Sequence, residues 1–486
     1  MSRKMGVRQQ GCTPRIAVVG GGIAGLAAAH HLVELAETER RAIEVMLFEA
    51  RPRLGGSIAT ERTDGFVIEA GPDSFLSEKP WALALCERIG ASGRLVGTRE
   101  EYRRTYVVHD GKLHPLPDGF LLLAPTRFLP LVTSPLFSWP GKLRMGLDLL
   151  LPRGPELPDE SLGSFVTRRL GREALERVAQ PLVGGIYSAD PDSLSLASTM
   201  PRFLAMEREH RSVILAMWRA RRRMAAGARG TSGARWSLFV SFDDGMQTLV
   251  DLLTSRLPQG TVRVGAPVSL LERDTEDGWR VNGDVGCDAV VLAGAAHASA
   301  SLLDPLDAQL AAELRAIEYA SSATVTLAYR QQDVPQRLDG FGFVVPLVET
   351  RGIVACTFSS LKYPGRAPAG YLLMRAFVGG ALQQHLFEQD DDSMDATVRR
   401  EVRELLGVTA APELIRIHRH PRAMPQYHVG HLDRIKRIDA RVAQLPTLAL
   451  AGNAYRGVGI PDCVHSGETA ARTVFEALCG KVGRDG

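Results

Sequence analysis

The sequence predicts an α/β + α+β chain: a Rossmann-type domain, a mixed-sheet domain and a helical domain. Three observations predict it. The first fifty residues read strand, glycine turn, helix, strand; residues 120–237 read as helices; and after about residue 317 strand-like apolar runs recur. The chain closes on a strand, a glycine-rich loop and a helix, so the first domain draws on both ends of the chain. With 486 residues, 45% of them hydrophobic, the chain is too long for one simple core, and two or three domains are expected.

Each element follows from a local pattern. RIAVV (15–19) is a β-branched run of the kind that forms a buried parallel strand. GGGIAG and a helix rich in small residues follow, and IEVMLFEA (43–50) is the second strand, completing a β-α-β unit. LGSFVTRRLGREALERVAQPLVGGIY and MEREHRSVILAMWRARRRMAA read as helices, and FDDGMQTLVDLLTSRL as a turn and a helix. VRVGAPVSLLER and WRVNGDVGCDAVVLAG read as strands, followed by SSATVTLAYR, GFGFVVP, GIVACTFSS and YLLMRAFVGG, with a helix near 393–406.

Composition excludes some functions. The formal net charge of +3 and the lack of a recognition motif argue against nucleic-acid binding. Residues 202–235 hold nine arginines; they read first as a solvated helix running into a loop, and second as a patch for anionic lipid or an acidic substrate. The six cysteines form no C-x-x-C pair, and the chain starts without an apolar signal core, so reduced thiols in a cytoplasmic protein are expected. The most apolar stretch, 119–139, is broken by Arg127, Pro125, Pro130 and Pro135; it is expected to lie in a membrane interface or to wall an apolar pocket, not to span.

The strongest motif is Gly20-Gly21-Gly22-Ile23-Ala24-Gly25, between a strand and a helix. Gly20 allows the tight turn, Gly22 lets the backbone approach a pyrophosphate, and Gly25 lets helix and strand pack closely. The helix N-terminus offers free N–H groups to the phosphates. Glu49, followed by Ala50, ends the second strand, where an acid can accept hydrogen bonds from ribose hydroxyls. RPRLGGSIAT then resembles the R-x-G-G-x motif of the glutathione-reductase-type FAD superfamily: Gly55 and Gly56 let the backbone run beside a long cofactor, and Arg53 is placed to meet its phosphates. Gly71, Pro72, Asp73 and Ser74 form a turn expected near the isoalloxazine ring. Near the C-terminus, Val458, Gly459 and Ile460 lead from a glycine loop into a helix whose amides and dipole would stabilise the negative charge of a reduced flavin. Non-covalent FAD is the cofactor these motifs predict.

Over nearly its whole length the chain resembles the oxygen-dependent porphyrinogen oxidases of haem synthesis, within the amine-oxidase-like flavoprotein group. GGIYSADP, MPQY-x-x-GH and GNAYRGVGIPDC carry the most specific part of the likeness; GGGIAGLAAAHHL, RLGGSIAT and EAGPDSF are shared more widely. The resemblance implies an FAD-binding domain (1–95, 238–312, 440–486), a mixed-sheet substrate domain (96–119, 313–439) and a helical, membrane-binding-like domain (120–237). It places Val268 at the adenine, Arg104 against a substrate propionate, Gly185 with its carbonyl toward the tetrapyrrole, and Val344, Thr357 and Phe377 in the pocket wall. Thr357 departs from the bulky apolar residue of some members, and Arg104 taken alone reads as a surface residue.

The implied activity is oxidation of protoporphyrinogen IX or coproporphyrinogen III to the porphyrin. Three rounds of dehydrogenation would remove six electrons, with O2 as the acceptor that regenerates the flavin. No protein side chain is expected as a catalytic acid or base. A homodimer, a peripheral contact with the inner face of the cell membrane and a contact with the next haem-pathway enzyme are carried with this reading. Two rival readings stand beside it: an amine oxidase or carotenoid-type desaturase on the same fold, and a redox-silent FAD-binding scaffold. His418, His420, His428 and His431 lack a Cys or acidic frame, so no metal is expected.

Overall fold

The computed structural model describes residues 13–117, 120–121, 124–125, 128–155, 157–227, 238–274 and 278–482. The β-branched runs pair as a five-stranded parallel sheet, in the order Val262–Arg263, Glu44–Phe48, Arg15–Val19, Ala289–Leu292, Leu448–Leu450. Both faces are covered, which is why Ile16, Ala17 and Val18 are all fully buried. Ile16 and Val18 pack under helices Ile23–Thr38, Gln247–Ser255 and Ile460–Val482. Ala17, with Met46 and Val290, faces Trp279 and helices Ala296–Leu303 and Ala308–Arg315. The first and last helices touch at their N-terminal ends, where a Cβ on Gly467 would collide with the Ala24 carbonyl. The two ends of the chain thus share one layer.

The second sheet has seven strands, in the order Leu414–Pro425, Tyr319–Arg330, Tyr371–Gly379, Ala355–Thr357, Gly342–Val344, Thr105–His109, Lys112–Pro115. All neighbours are antiparallel except Gly342–Val344 with Thr105–His109. One face, including Val108, Val325 and Met374, buries against helix Asp391–Leu406 through Val398, Val402 and Leu405. The opposite face carries a register row of Val107, Val344, Ala355, Phe377, Thr324 and His418. The apolar part of that row joins the core of the helical segment, which includes Phe165, Val183 and Phe203.

Three local expectations change. MEREHRSVILAMW is two helices, Pro201–His210 and Val213–Gly227, broken at Arg211 with φ +68°. The break is anchored by the buried Asp148, which accepts from the Ser212 hydroxyl at 2.6 Å and the Ile214 N–H at 3.0 Å. VRVGAPVSLLER is strand only at Val262–Arg263 and Leu271–Arg273, so Val268 lies in the link between them, just after Pro267. The strand Leu414–Pro425 has no apolar run in sequence, because it edges the sheet and half its side chains are polar. Of the stretch 119–139, Arg127 lies outside the described residues; Phe128–Thr133 is a short helix. Arg229 and Arg235 likewise lie outside them.

Candidate functional site

The glycine turn and the second strand build one end of the site. Gly20 takes φ +113°, a conformation that an L-residue rarely adopts. A Cβ on Gly25 would strike the Gly20 carbonyl, and one on Gly21 would press on Leu54 and Glu49. A Cβ on Gly22 would meet nothing within 4 Å. Gly22 is the N-cap of helix Ile23–Thr38 and provides no side-chain cap, so the first-turn N–H groups are left without one. An open slot at a helix N-terminus fits a pyrophosphate.

The buried Glu49 carboxylate accepts from the Gly21 N–H at 2.7 Å and the Arg51 N–H at 2.8 Å, which fixes it beside the turn. The Glu49 carbonyl accepts from the Ala266 N–H at 2.9 Å, which brings the segment carrying Val268 alongside. Ala50 is exposed at the end of the strand. Gly55 bridges to Gly22, and its N–H reaches the Gly21 carbonyl at 2.8 Å. Arg53 binds its own loop, donating to the carbonyls of Gly56 at 2.7 Å and Ile58 at 2.9 Å. These bonds shape the loop that carries Gly55 and Gly56.

Side chains of the second sheet hold the Gly71–Ser74 turn in place. Gly71 packs so closely on Ser57 that a Cβ would hit the Ser57 carbonyl. Arg375, buried, donates to the carbonyls of Glu69 at 3.0 Å and Gly71 at 2.6 Å. Thr324 donates to the Ala70 carbonyl at 2.9 Å, and His420 Nε2 bonds the same oxygen at 2.8 Å. Asp73 pairs with Lys362 at 2.9 Å and Arg375 at 3.4 Å, and takes the Ser74 hydroxyl at 2.7 Å. Burial alone would raise the Asp73 carboxyl, but Lys362 and Arg375, then Ser74, override it and hold it below the usual carboxylate range. Pro72 sits within this clamp, half-buried.

The C-terminal glycine loop is tied from the other side. The Tyr427 hydroxyl donates to the Asn453 carbonyl and accepts from the Gly457 N–H at 2.8 Å. Its ring stacks on His431 with centroids 4.0 Å apart, and His431 Nε2 bonds the Tyr455 carbonyl at 3.0 Å. Burial pulls the His431 imidazole down to about 4. Val458 and Gly459 are half-buried and Ile460 is buried at the start of the last helix, whose Asp462 pairs with Lys79 at 2.7 Å.

Val344, Thr357 and Phe377 share one sheet face, as the register requires. Val344 and Phe377 join Tyr187, Leu182, Tyr427 and Val458 in one apolar cluster. Thr357 stands beside Arg375 in the row nearer the Asp73 clamp, so its polar side chain has a polar neighbour. Gly185 is exposed on helix Gln180–Tyr187, whose Leu182, Val183 and Tyr187 pack over the same face. Arg104 does not join this set: it is 64% exposed and pairs with Asp339 at 2.5 Å, on the side where Tyr106 also bonds Asp339.

Sequence reading missed Arg375, Lys362, Thr324 and Tyr427. Tyr427 sat in MPQY-x-x-GH, a motif singled out without a role; Thr324 and Arg375 stand in ordinary-looking strands and Lys362 ends a short helix, and none carried a local signal. The four histidines do not converge: His420 and His431 bond separate backbone carbonyls, and His428 lies 3.9 Å from Glu318.

Comparison with known proteins gives the chain's relatives. The flavin-containing amine oxidoreductase family matches residues 23–475. A coproporphyrinogen III oxidase of Propionibacterium freudenreichii subsp. freudenreichii is 38% identical, covering 95% of this chain and 91% of that one. A protoporphyrinogen oxidase of Homo sapiens is 32% identical, covering 95% and 98%. The solved structure of an Exiguobacterium sp. 255-15 protein superposes with a TM-score of 0.84 at 32% identity, covering 96% of this chain and 99% of that one.

Proposed function

The chain belongs to the flavin-containing amine oxidoreductase family, and from that premise we propose that it is an FAD-dependent, oxygen-using coproporphyrinogen III oxidase of haem synthesis. The observation that carries the reading is a juxtaposition. The apolar face of Val344 and Phe377 closes, through Tyr427 and Val458, onto the same loops that the dinucleotide cradle leads to. A flat, greasy ring fits between such a face and a flavin. The 38% identity to a coproporphyrinogen III oxidase, against 32% to a protoporphyrinogen oxidase, favours the tetra-acid substrate.

Bound FAD supplies a two-electron acceptor, regenerated by O2. The balance is coproporphyrinogen III plus three O2 giving coproporphyrin III plus three H2O2. The chain itself does three things. The cradle from Gly20 to Gly56 holds the pyrophosphate and ribose. The Arg375–Lys362–Asp73 clamp and Tyr427 fix the two loops at the ring. Val344, Phe377 and the helix carrying Gly185 orient the substrate and exclude water. No side chain is assigned as acid or base. The buried Cys463 thiol is pushed up to about 12 by burial, so it stays protonated and is a poor nucleophile.

Arg104 stands outside the apolar slot, exposed, and a propionate reaching the rim would compete with Asp339 for it. Arg104→Ala then raises KM with flavin content unchanged; an unchanged KM removes Arg104 from the site. Exposed Leu129, Trp139, Leu143 and Leu150 on the helical segment support a peripheral membrane contact. The test of the function is an aerobic and anaerobic assay of purified yellow protein with both porphyrinogens, read by porphyrin fluorescence. Faster, oxygen-dependent turnover of coproporphyrinogen III is expected; inertness to both would overturn the reading.

A further inference from the structure

We propose that Tyr427 is a positioning residue for the flavin: its hydroxyl cross-braces the Asn453–Gly457 loop so that the turn into helix Ile460–Val482 keeps its amides aimed at the ring. This rests on the reading that the Gly457–Ile460 turn faces the flavin.

The phenol bonds both ends of one loop. It donates to the Asn453 carbonyl and accepts from the Gly457 N–H at 2.8 Å, so the loop is pinched at its two ends by a single oxygen. Gly457 has φ +153°, and a Cβ there would collide with the Asp462 side chain, so the end of the loop that the phenol holds packs directly on the first turn of helix Ile460–Val482. Tyr427 is rigidly held. Its ring is 1% exposed and stacks on His431 at 4.0 Å. His431 in turn bonds the Tyr455 carbonyl, inside the same loop. The Tyr427 carbonyl accepts from the Ser195 N–H at 2.7 Å, tying it to the helical segment, and Tyr427 follows directly on strand Leu414–Pro425 and Gln426. The brace therefore joins the mixed sheet, the helical segment and the ring loop.

The consequence is electrostatic. N–H groups held at a ring that gains negative charge on reduction favour the reduced state, and do so only while they are held in place. Loosening the loop lowers the tendency of the flavin to be reduced. It leaves the apolar slot of Val344 and Phe377 as it is, so substrate binding stays close to wild type. An ordinary core tyrosine would change stability alone.

Tyr427→Phe in the full-length holoprotein keeps the ring, its stack and its burial, and removes both loop bonds. The readouts are flavin content, thermal midpoint, flavin redox midpoint by dye equilibration, and steady-state kinetics. Flavin content close to wild type is expected. The ratio of reduced to oxidised flavin at a fixed potential should fall about tenfold, a shift of about 30 mV to lower potential for a two-electron couple. kcat should fall by about tenfold with KM within about twofold. Tyr329→Phe, in the core of the opposite sheet face, is the control and should leave the redox midpoint unmoved. A lower thermal midpoint with an unchanged redox midpoint and flavin spectrum would overturn the proposal. Should Tyr427→Phe fail to fold, His431→Gln carries the test. It spares both hydroxyl bonds but removes the stacked ring, and should shift the redox midpoint in the same direction by about half as much; no shift overturns the proposal. A wild-type chain that takes up no flavin would remove the functional reading itself, a result distinct from either.

Discussion

At Gly22 the missing side chain is the functional property. The space beside it is open and its φ of −72° and ψ of 177° suit any residue, so nothing in the fold demands glycine there. Gly22→Val should therefore fold as an apoprotein with a wild-type unfolding curve, yet lose flavin affinity by roughly tenfold or more, because the new methyls occupy the pyrophosphate slot. A variant that retains full flavin absorbance after gel filtration would contradict this. Gly25 is the opposite case: a Cβ there strikes the Gly20 carbonyl, so its substitution damages the fold before any cofactor arrives. The motif letters are the same in sequence, and only the surroundings separate the two roles. His431 shows a further residue-scale effect. Its imidazole is buried neutral, with a value near 4 against an ordinary 6.5. Between those values the unfolded chain binds the proton and the folded one does not. The stability this residue contributes is present above pH 6.5 and lost as pH falls toward 4, about 3 kcal/mol in all. Urea unfolding at pH 7.5 and pH 5 should show a steeper loss for wild type than for His431→Gln; equal losses would remove His431 as the cause.

Elements fix the Gly71–Ser74 turn and the Asn453–Gly457 loop by reaching over from the seven-stranded sheet and the residues that follow it, and sequence could not display this. The turn Gly71–Ser74 was legible as a turn, because a glycine–proline pair after a strand is a local pattern. Its clamp was not, since Arg375, Lys362 and Thr324 lie hundreds of residues away, two in unremarkable strands and Lys362 at the end of a short helix. Likewise Val344, Thr357 and Phe377 came from resemblance; only the register of three strands puts them on one face. The clamp makes a specific prediction. Arg375→Met leaves Lys362 as the remaining close cation on Asp73 and strips the bonds to Glu69 and Gly71. Removing one partner of a buried pair costs about 3–5 kcal/mol. The double change Arg375→Met with Asp73→Asn should cost less than the sum of the singles, since the carboxylate that Arg375 helped Lys362 to balance is gone. Additive losses in denaturant titrations would show that the two residues do not act together.

On the scale of the whole molecule, both chain ends meeting in one parallel sheet was readable, because each end carried its own strand–glycine–helix pattern. The helical segment was readable as helical but not in its outward face, since burial depends on packing partners far along the chain. The structure leaves Leu129, Trp139, Leu143, Leu147 and Leu150 exposed together on two short helices and the turn that follows, with Leu143 71% exposed. Lys142 lies 4.8 Å over the Trp139 ring, an aromatic–cation pair suited to the lipid headgroup level. Among the described residues no helix is long and apolar enough to cross a bilayer, so such a face would rest in the interface plane. Scattered exposed leucines need no explanation, but Trp139, Leu143, Leu147 and Leu150 recur at helical spacing along one stretch of consecutive turns. The full chain should therefore co-sediment with vesicles containing anionic lipid at low salt. The double change Trp139→Glu with Leu143→Glu should abolish this while leaving kcat for porphyrinogen in solution within about twofold, since both side chains are exposed and neither belongs to the apolar cluster of Val344 and Phe377. A wild-type chain that stays in the supernatant at low salt would mean that this face is covered by something other than lipid. A variant that loses turnover together with vesicle binding would mean that the face is part of the catalytic fold.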